Sequence, residues 1–199
     1  MKATVNPHSK QDQQLWLAFL DGDEESYTQL YKLFIRDMYR YGSSLVTTSD
    51  AFVLDCIHDV FTEIWAKRNR LSVPDNVKYY LLKALKTRMM HLLERKERSF
   101  KSLADVDIEV FEPNDLEILE ELEAASSRQE RLKILIAQLP NRQQEALKLR
   151  FIENLNYTEI GNVLEVNSQS AKNLVFRAIE KLRGWIILFF INFFNIFLG

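Results

Sequence analysis

The side chains best suited to bind another molecule lie near the carboxyl end of the chain, in a segment with helical spacing. Between Ser168 and Arg183, apolar residues recur along one helix face, and the opposite face carries Lys172, Asn173, Arg177 and Lys181. Cationic groups pair with phosphates, and an amide can hydrogen-bond to base edges in the major groove. The pattern therefore predicts a helix that contacts duplex DNA.

A shorter apolar segment precedes this helix at the distance of a helix-turn-helix. One face of the predicted first helix is formed by Ile160, Val163 and Leu164. Gly161 is small where two helices must approach, and residues 165–167 form the turn. We expect Ser168 to cap the second helix. A plain helical hairpin has a similar pattern, but the turn and the outer-face chemistry together favour DNA binding.

Helical periodicity continues through most of the 199 residues, which contain only 5 glycines and 4 prolines. Charge is uneven: residues 66–101 hold eleven Lys and Arg against three Asp and Glu, residues 102–130 one against ten, and residues 131–183 nine against five. We therefore predict an all-α protein of two small helical modules joined by an acidic linker, the second containing the helix-turn-helix.

We place the first module at residues 13–100, the acidic linker at 101–125, the second module at 126–184 and an apolar tail at 185–199. Three helices are predicted in the first module, opening at Asp23 and covering about 50–68 and 77–97, with a loop at 70–76. A short helix is compatible with 116–125. In the second module we expect Asn141 to cap a helix after Pro140, and Leu132 and Phe151 to face inward.

Catalytic chemistry has little support in this sequence. His8, His58 and His91 lack the paired spacing of metal ligands, and Cys56, the only cysteine, has no evident base beside it. There is no glycine-rich phosphate loop. We therefore predict a protein that is not an enzyme and needs no metal or cofactor. A single cysteine and an amino-terminal segment without an apolar core fit a cytoplasmic location.

A second distinctive segment, Asp55 to Trp65, places acidic and aromatic residues on neighbouring parts of one helix. Carboxylates at Asp55 and Asp59, beside Phe61 and Trp65, form the kind of rigid patch that anchors protein–protein contacts. An ordinary amphipathic helix with solvated acids and a core tryptophan explains this segment equally well when it is taken alone.

Taken together, these motifs resemble those of the extracytoplasmic-function class of bacterial sigma factors. Residues 55–65 are similar to D-x-V-Q-D-V-F-x-x-x-W, residues 139–150 to L-P-x-x-x-R-x-x-x-x-L-R, and residues 157–161 to Y-x-E-I-A. The resemblance covers about residues 27–183. It implies binding to core RNA polymerase, recognition and melting of promoter DNA, and an anti-sigma factor as a further partner.

The resemblance also implies three groups of site residues. Core polymerase would contact Asp55, Asp59, Phe61 and Trp65. The −10 element would be bound by Asn69, Ser72, Asn76, Lys78, Tyr79, Lys83, Lys86 and Arg88. The −35 element would be bound by Arg142, Ser168, Gln169, Ser170, Lys172, Asn173, Arg177 and Lys181, with Arg150 as a further candidate.

The chain departs from the family pattern at several positions of the second module. Glu165 stands at the turn position where glycine is usual, and positive φ there costs ~1 kcal/mol. The family often carries basic residues where this chain has Leu174, Ile179 and Glu180. We therefore hypothesise that −35 recognition is weak and is helped by a recruiting protein bound to DNA.

The tail from Trp185 to Leu198 is apolar except for Asn192 and Asn195. It is too short to cross a hydrocarbon core, which needs about 20 helical residues. Three arrangements stay open: packing on the second module, docking into a partner protein, or peripheral contact with a membrane. The lack of a polar face counts against the last.

Two other functions are compatible with parts of the sequence. One is a stand-alone helix-turn-helix regulator, whose DNA affinity would not depend on polymerase. The other is a membrane-tethered interaction protein that uses the tail as an anchor. The Asp55–Trp65 motif counts against the first, because such a regulator has no need of that surface.

Overall fold

The computed structural model describes residues 7–46, 49–100 and 128–198. Every regular element in these ranges is helical, which confirms the all-α prediction. The chain divides into two compact units, Met1–Ala104 and Asp105–Gly199. The predicted acidic linker and the short helix within it lie outside the described residues.

The first unit contains four helices, within its described residues, and a single 3-10 turn. They are α1 (Pro7–Leu20), α2 (Glu24–Ser43), α3 (Asp50–Lys67) and α4 (Val77–Phe100), with the turn at Arg68–Arg70. At the start of α2, the Asp23 carboxylate accepts a hydrogen bond from the Ser26 N–H at 2.9 Å. Hydrogen bonds from the Ser26 hydroxyl and N–H lower the pKa of Asp23. This cap fixes where α2 begins, as predicted.

Helix α1 was missed by sequence reasoning, which began the first module at Gln13 without a helix there. Its first half is polar, and its run of apolar residues begins only at Leu15. The apolar segment is therefore too short for a helical period to be recognised. Trp16 and Phe19 are nevertheless completely buried. Tertiary packing of two aromatic side chains, rather than local periodicity, stabilises this helix.

The core of the first unit lies between α2, α3 and α4. Its buried residues include Leu30, Phe34, Met38, Val53, Ile57, Val60, Leu81, Leu85 and Met89. Gly42 lets α2 and α3 approach, because a Cβ there would lie 2.7 Å from the Val53 Cγ1 atom. The close packing makes α3 and α4 a rigid base for the polar side chains that they present to solvent.

The second unit contains α5 (Arg128–Ala137), α6 (Asn141–Phe151), α7 (Tyr157–Leu164) and α8 (Ser168–Leu198) among its described residues. Two inward-facing predictions were wrong: Leu132 is 47% exposed and Phe151 is 60% exposed. Asn141 is not a cap either, since it begins α6 after Pro140 and makes no side-chain cap bond. Phe151 is the last residue of α6, whereas Leu132 lies in the middle of α5, so the helical period alone does not decide burial at either position.

Helix α8 continues without a break from the helix-turn-helix into the apolar tail. Trp185, together with Ile134 and Leu182, packs against the buried Leu135, whereas Ile186 and Ile187 are exposed. The side chains beyond Ile187, on which the choice between the three tail arrangements depends, lie outside the described part of the structure. Over the described ranges, no helix is both long and apolar enough to cross a membrane.

Candidate nucleic-acid interface

Helix α7 is fixed at its start by reciprocal hydrogen bonds. The Asn156 side chain accepts from the N–H groups of Thr158 and Glu159, each at 2.9 Å. In return, the Glu159 carboxylate accepts from the Asn156 N–H at 2.8 Å. This capping box satisfies backbone donors that the helix itself leaves open, and so fixes the orientation of α7 ahead of the turn.

The turn between α7 and α8 has the geometry expected from the sequence. Glu165 adopts a left-handed conformation, with φ 56° and ψ 45°. The Val166 N–H donates to the Gly161 carbonyl at 2.8 Å. A Cβ at Gly161 would lie 2.7 Å from the Val166 carbonyl oxygen, so only glycine permits this close approach.

The sequence predicted Ser168 as the cap of α8, but the residue that caps this helix is Asn167. The Asn167 side-chain oxygen accepts from the Ser170 N–H at 2.7 Å, and Ser168 is the first helical residue. Ala171, Val175 and Ala178 are buried against the rest of the unit. The opposite face exposes the predicted DNA-binding residues Gln169, Lys172, Asn173, Arg177 and Lys181, and Ser168 is exposed at its start.

On α3, the residues predicted to bind polymerase divide between surface and core. Asp55 is exposed and Asp59 is partly exposed. Phe61, which the sequence predicted to meet a partner, is 1% exposed and packs against Tyr31, with ring centroids 5.0 Å apart. Trp65 is partly buried beside Tyr27, and the Arg68 guanidinium lies 4.6 Å from its ring. Only the acidic side chains and part of Trp65 are therefore available to another molecule.

Comparison with known proteins agrees with this geometry. Residues 135–184 match the family described as Sigma-70, region 4. The chain is 20% identical over 156 residues to the ECF RNA polymerase sigma factor SigM of Bacillus subtilis (strain 168). This alignment covers 78% of this chain and 92% of that protein. The chain is therefore similar to sigma factors of the extracytoplasmic-function class, and its residues 135–184 match sigma region 4.

Two solved structures share the fold of this chain. The sigma factor RpoE of Bartonella quintana, solved with the anti-sigma factor NepR, is 17% identical with a TM-score of 0.59, covering 81% of this chain and 97% of that one. CnrH, solved with the cytosolic domain of CnrY, is 15% identical with a TM-score of 0.58, covering 89% and 97%.

Several residues predicted to bind the −10 element form bonds to other parts of the chain. The Lys78 ammonium lies 2.7 Å from the Asp37 carboxylate on α2. The Asn76 side chain accepts from the Tyr79 N–H at 3.0 Å and so supports the start of α4. Both residues hold local structure in the free protein, and direct DNA contact would require Lys78 to exchange its partner.

Another of these internal contacts, an ion pair with two hydrogen bonds, joins two predicted sites. Arg88 on α4 donates from Nε and Nη2 to the same Asp59 oxygen on α3, at 2.9 and 2.7 Å. Sequence reasoning had placed Asp59 at the polymerase and Arg88 at the DNA. Both side chains stay partly exposed, at 45% and 36% respectively. The two predicted surfaces therefore meet at this ion pair.

An open groove between α3 and α4 brings together other predicted residues. Its volume is about 630 Å³, and its lining includes Tyr79, Lys83 and Arg88 from the predicted −10 group. Sequence reasoning missed Lys67, Thr87 and His91, which line the same groove. Asn69 and Ser72 are exposed near the start of the loop, and Lys86 is partly exposed outside the groove lining.

In the second unit, two arginines serve the backbone. Arg142 donates from Nη2 to the Leu164 carbonyl at 2.8 Å, at the end of α7. Arg150 donates to the Leu155 carbonyl at 2.9 Å and lies over the Tyr157 ring at 5.0 Å. Arg150 thus holds the backbone between α6 and α7, and its help at the −35 element stays a prediction. Arg142 remains exposed at the surface while it holds α7.

Phe176 is the notable residue that sequence reasoning missed on α8. It is 61% exposed and lies between Asn173 and Arg177, on the side of the helix that carries the polar residues. A large apolar side chain on such a face is a signal that could have been read from the sequence, because the inner positions were already assigned to Ala171, Val175 and Ala178.

Proposed function

We propose that this protein is a sigma factor of the extracytoplasmic-function class. It binds core RNA polymerase through α3, holds the −10 element at α4 and its preceding loop, and reads the −35 element with α8. The main support for the proposal comes from the second unit. There, a sequence match to sigma region 4 coincides with a complete helix-turn-helix that exposes basic and amide side chains. We also place the protein in the cytoplasm, at the nucleoid, and assign it no catalytic step of its own.

The polymerase contact is proposed for the exposed side of α3. Asp55 and Asp59 supply negative charge, and Trp65 supplies the edge of an aromatic surface. Phe61 contributes from beneath, because its burial fixes the helix that carries these groups. Loss of one buried charged partner in such an interface typically costs ~2–5 kcal/mol. The similarity to sigma factors solved with anti-sigma factors supports an anti-sigma partner as well.

The −10 contact is proposed for the groove between α3 and α4. Tyr79 offers an aromatic face on which an unstacked base can pack, and Lys67 and Lys83 offer cations for the adjoining phosphates. Ser72 and Asn69 are exposed at the edge of the same region and can hydrogen-bond to a base. A base held here has left the duplex stack, and its contacts offset the free energy of unstacking that promoter melting requires.

The −35 contact is proposed for the outer face of α8. The Gln169 side chain donates to the Asn173 side-chain oxygen at 3.1 Å, which orients both amides before DNA arrives. Lys172, Arg177 and Lys181 are placed to contact phosphates. Phe176 adds an apolar surface suited to the methyl group of thymine. This combination favours a −35 sequence that contains thymine.

A recruiting protein bound to DNA stays part of the proposal, and of the three departures from the family's basic residues only Glu180 now supports it. Leu174 and Ile179 are partly buried, so they do not reduce the charge of the outer face. Glu180 is exposed and lies 3.4 Å from Arg183, which offsets one cation at the end of the predicted DNA-binding surface. Fewer phosphate contacts lower the affinity and flatten its salt dependence.

Transcription by reconstituted polymerase tests the proposed function. Core RNA polymerase and the purified sigma factor would transcribe fragmented genomic DNA, and the 5′ ends of the transcripts would be mapped. We expect discrete start sites with the wild type and their loss in the Asp55→Ala, Trp65→Ala double variant. A matched variant, Glu24→Ala, changes an exposed acid at the start of α2 and should keep the start sites.

The outcomes separate the competing functions. Discrete starts that require Asp55 and Trp65 support the sigma function. Core binding without discrete starts supports a recruiting partner. DNA binding that is specific but independent of core polymerase would contradict the proposal and favour a stand-alone regulator. Removal of residues 185–199, followed by cell fractionation, tests whether the tail contributes membrane contact.

A further inference from the structure

Helix α1 bonds directly to the loop that precedes α4. The Gln13 side-chain amide donates from Nε2 to the carbonyls of Pro74 and Asp75, at 3.0 and 3.1 Å. The Trp16 indole donates from Nε1 to the Ser72 carbonyl at 3.2 Å. These donors and acceptors are 56 to 62 residues apart in sequence, so the contacts are tertiary and not local.

The loop at residues 71–76 has no regular secondary structure of its own. Pro74 lacks an N–H and restricts the residue before it to extended conformations, so the segment cannot continue as a helix. Its carbonyls therefore need donors from elsewhere or from water. Helix α1 supplies three such hydrogen bonds, while Ser72 and Val73 stay exposed.

The donors on α1 are themselves held in place. Trp16 is completely buried, and its ring packs edge-on against Phe19 at 5.2 Å and Tyr80 at 5.1 Å. Tyr80 lies in the first turn of α4, so the same indole contacts both the loop and the helix that follows it. Gln13 is partly buried, and its primary amide has two N–H groups for the two carbonyls that it bonds.

We propose that Gln13 and Trp16 are positioning residues for promoter melting, which hold residues 71–76 in the conformation that receives the unstacked −10 base. This inference rests on the proposed function, because it assumes that the loop contacts the −10 element. A loop fixed before binding has less conformational entropy to lose on capturing a base. The amino-terminal helix thus acts on DNA through the loop, without touching it.

A pair of matched substitutions tests this role. Gln13→Glu keeps the size of the side chain but replaces the donor NH2 by a carboxylate oxygen, which repels both loop carbonyls. Gln14→Glu adds the same charge at the next residue, which is exposed. Affinity would be measured with core polymerase bound, on a fork-junction fragment whose −10 element is single-stranded, taken from a promoter mapped by the transcription assay.

We expect Gln13→Glu to weaken binding of this fragment about five- to tenfold relative to Gln14→Glu, from the usual contribution of one or two partly buried hydrogen bonds. Affinity for core polymerase should be the same for both variants. Loss of the hydrogen bonds should lower the midpoint of urea unfolding slightly in Gln13→Glu, but a role limited to stability would weaken polymerase binding as well. Gln13→Met, which removes the donor without adding charge, should give the same direction.

Amide hydrogen exchange gives a second measurement that needs no DNA. Exchange at residues 71–76 should accelerate in Gln13→Glu and stay unchanged in Gln14→Glu. Equal DNA affinity and equal exchange in the two variants would overturn the positioning role while leaving the sigma function intact. Failure of the wild type to initiate at any promoter would instead contradict the proposed function, and faster loop exchange in Gln13→Glu would still show the mechanical link.

Discussion

In the first unit, charged side chains from neighbouring helices bond to each other, whereas on α8 the basic side chains project from one helix into solvent. Asp59 holds Arg88 across α3 and α4, and Asp37 holds Lys78 across α2 and α4. On α8, by contrast, Lys172, Arg177 and Lys181 are all exposed. The same types of side chain thus serve packing in one unit and display in the other.

This difference has a physical basis in what each unit is proposed to bind. A duplex groove accepts a preformed helix whose cations are already exposed. Melted DNA and polymerase require a surface assembled from several helices, and ion pairs between those helices fix their geometry before binding. Substitutions at the ion pairs between helices of the first unit should therefore couple stability to binding, and substitutions on the outer face of α8 should affect binding alone.

Truncation of Phe61 should have the largest effect on this comparison. Phe61→Ala removes a fully buried ring at the centre of the first unit, and we expect a loss of ~3–5 kcal/mol in the free energy of unfolding. Urea titration followed by tryptophan fluorescence would measure it. Asp55→Ala should change that free energy by less than ~0.5 kcal/mol and weaken polymerase binding only. Comparable losses of stability in both variants would break the division of α3 into core and surface.

The glycine of the helix-turn-helix should come next in magnitude. Gly161→Ala places a Cβ 2.7 Å from a backbone carbonyl, which cannot move as a side chain would, and should cost ~1–3 kcal/mol. Binding to a −35 duplex should fall with it. Gly184→Ala is the matched control, because a Cβ there meets nothing within 4 Å and should stabilise the helix slightly. An unfolding midpoint unchanged by Gly161→Ala would show that the turn can relax.

The strained turn residue should give a smaller effect of opposite sign. Glu165→Gly relieves a left-handed conformation and should stabilise the second unit by ~0.5–1 kcal/mol, after the greater flexibility of glycine is subtracted. Thermal unfolding compared with Glu165→Ala separates conformation from charge, since alanine keeps the strain. If both variants shift the melting temperature equally, the backbone strain at this position is negligible.

The Asp59–Arg88 pair should have the smallest effect on stability. Because both side chains are partly exposed, a double-mutant cycle with Asp59→Ala and Arg88→Ala should give a coupling free energy of ~0.5–1 kcal/mol that shrinks in high salt. The same cycle on α8, with Lys172→Ala and Arg177→Ala, should be additive for stability. Additive effects in the first unit would remove the contrast between paired and displayed charges.

Sequence reasoning predicted best where a local rule and a tertiary requirement agree. The cap at the start of α2 and the tight approach at Gly161 follow from residue types, the left-handed Glu165 follows from the family's turn position, and each was confirmed. Helix α1 was missed because Trp16 and Phe19 are stabilised by partners far along the chain. Likewise, periodicity showed that Asp59 and Arg88 are surface residues, but no pattern could show that they bond to each other.

The reactivity of the Cys56 thiol can report on the packing of the first unit. It is the single thiol of the chain and is completely buried in α3, where desolvation, followed by the Asp59 charge, raises its pKa. Alkylation requires a thiolate that a reagent can reach, so it should proceed only when α3 separates from its neighbours. The rate of alkylation therefore reports how often the first unit opens in the unmodified protein, and a partner that holds this unit closed should slow it.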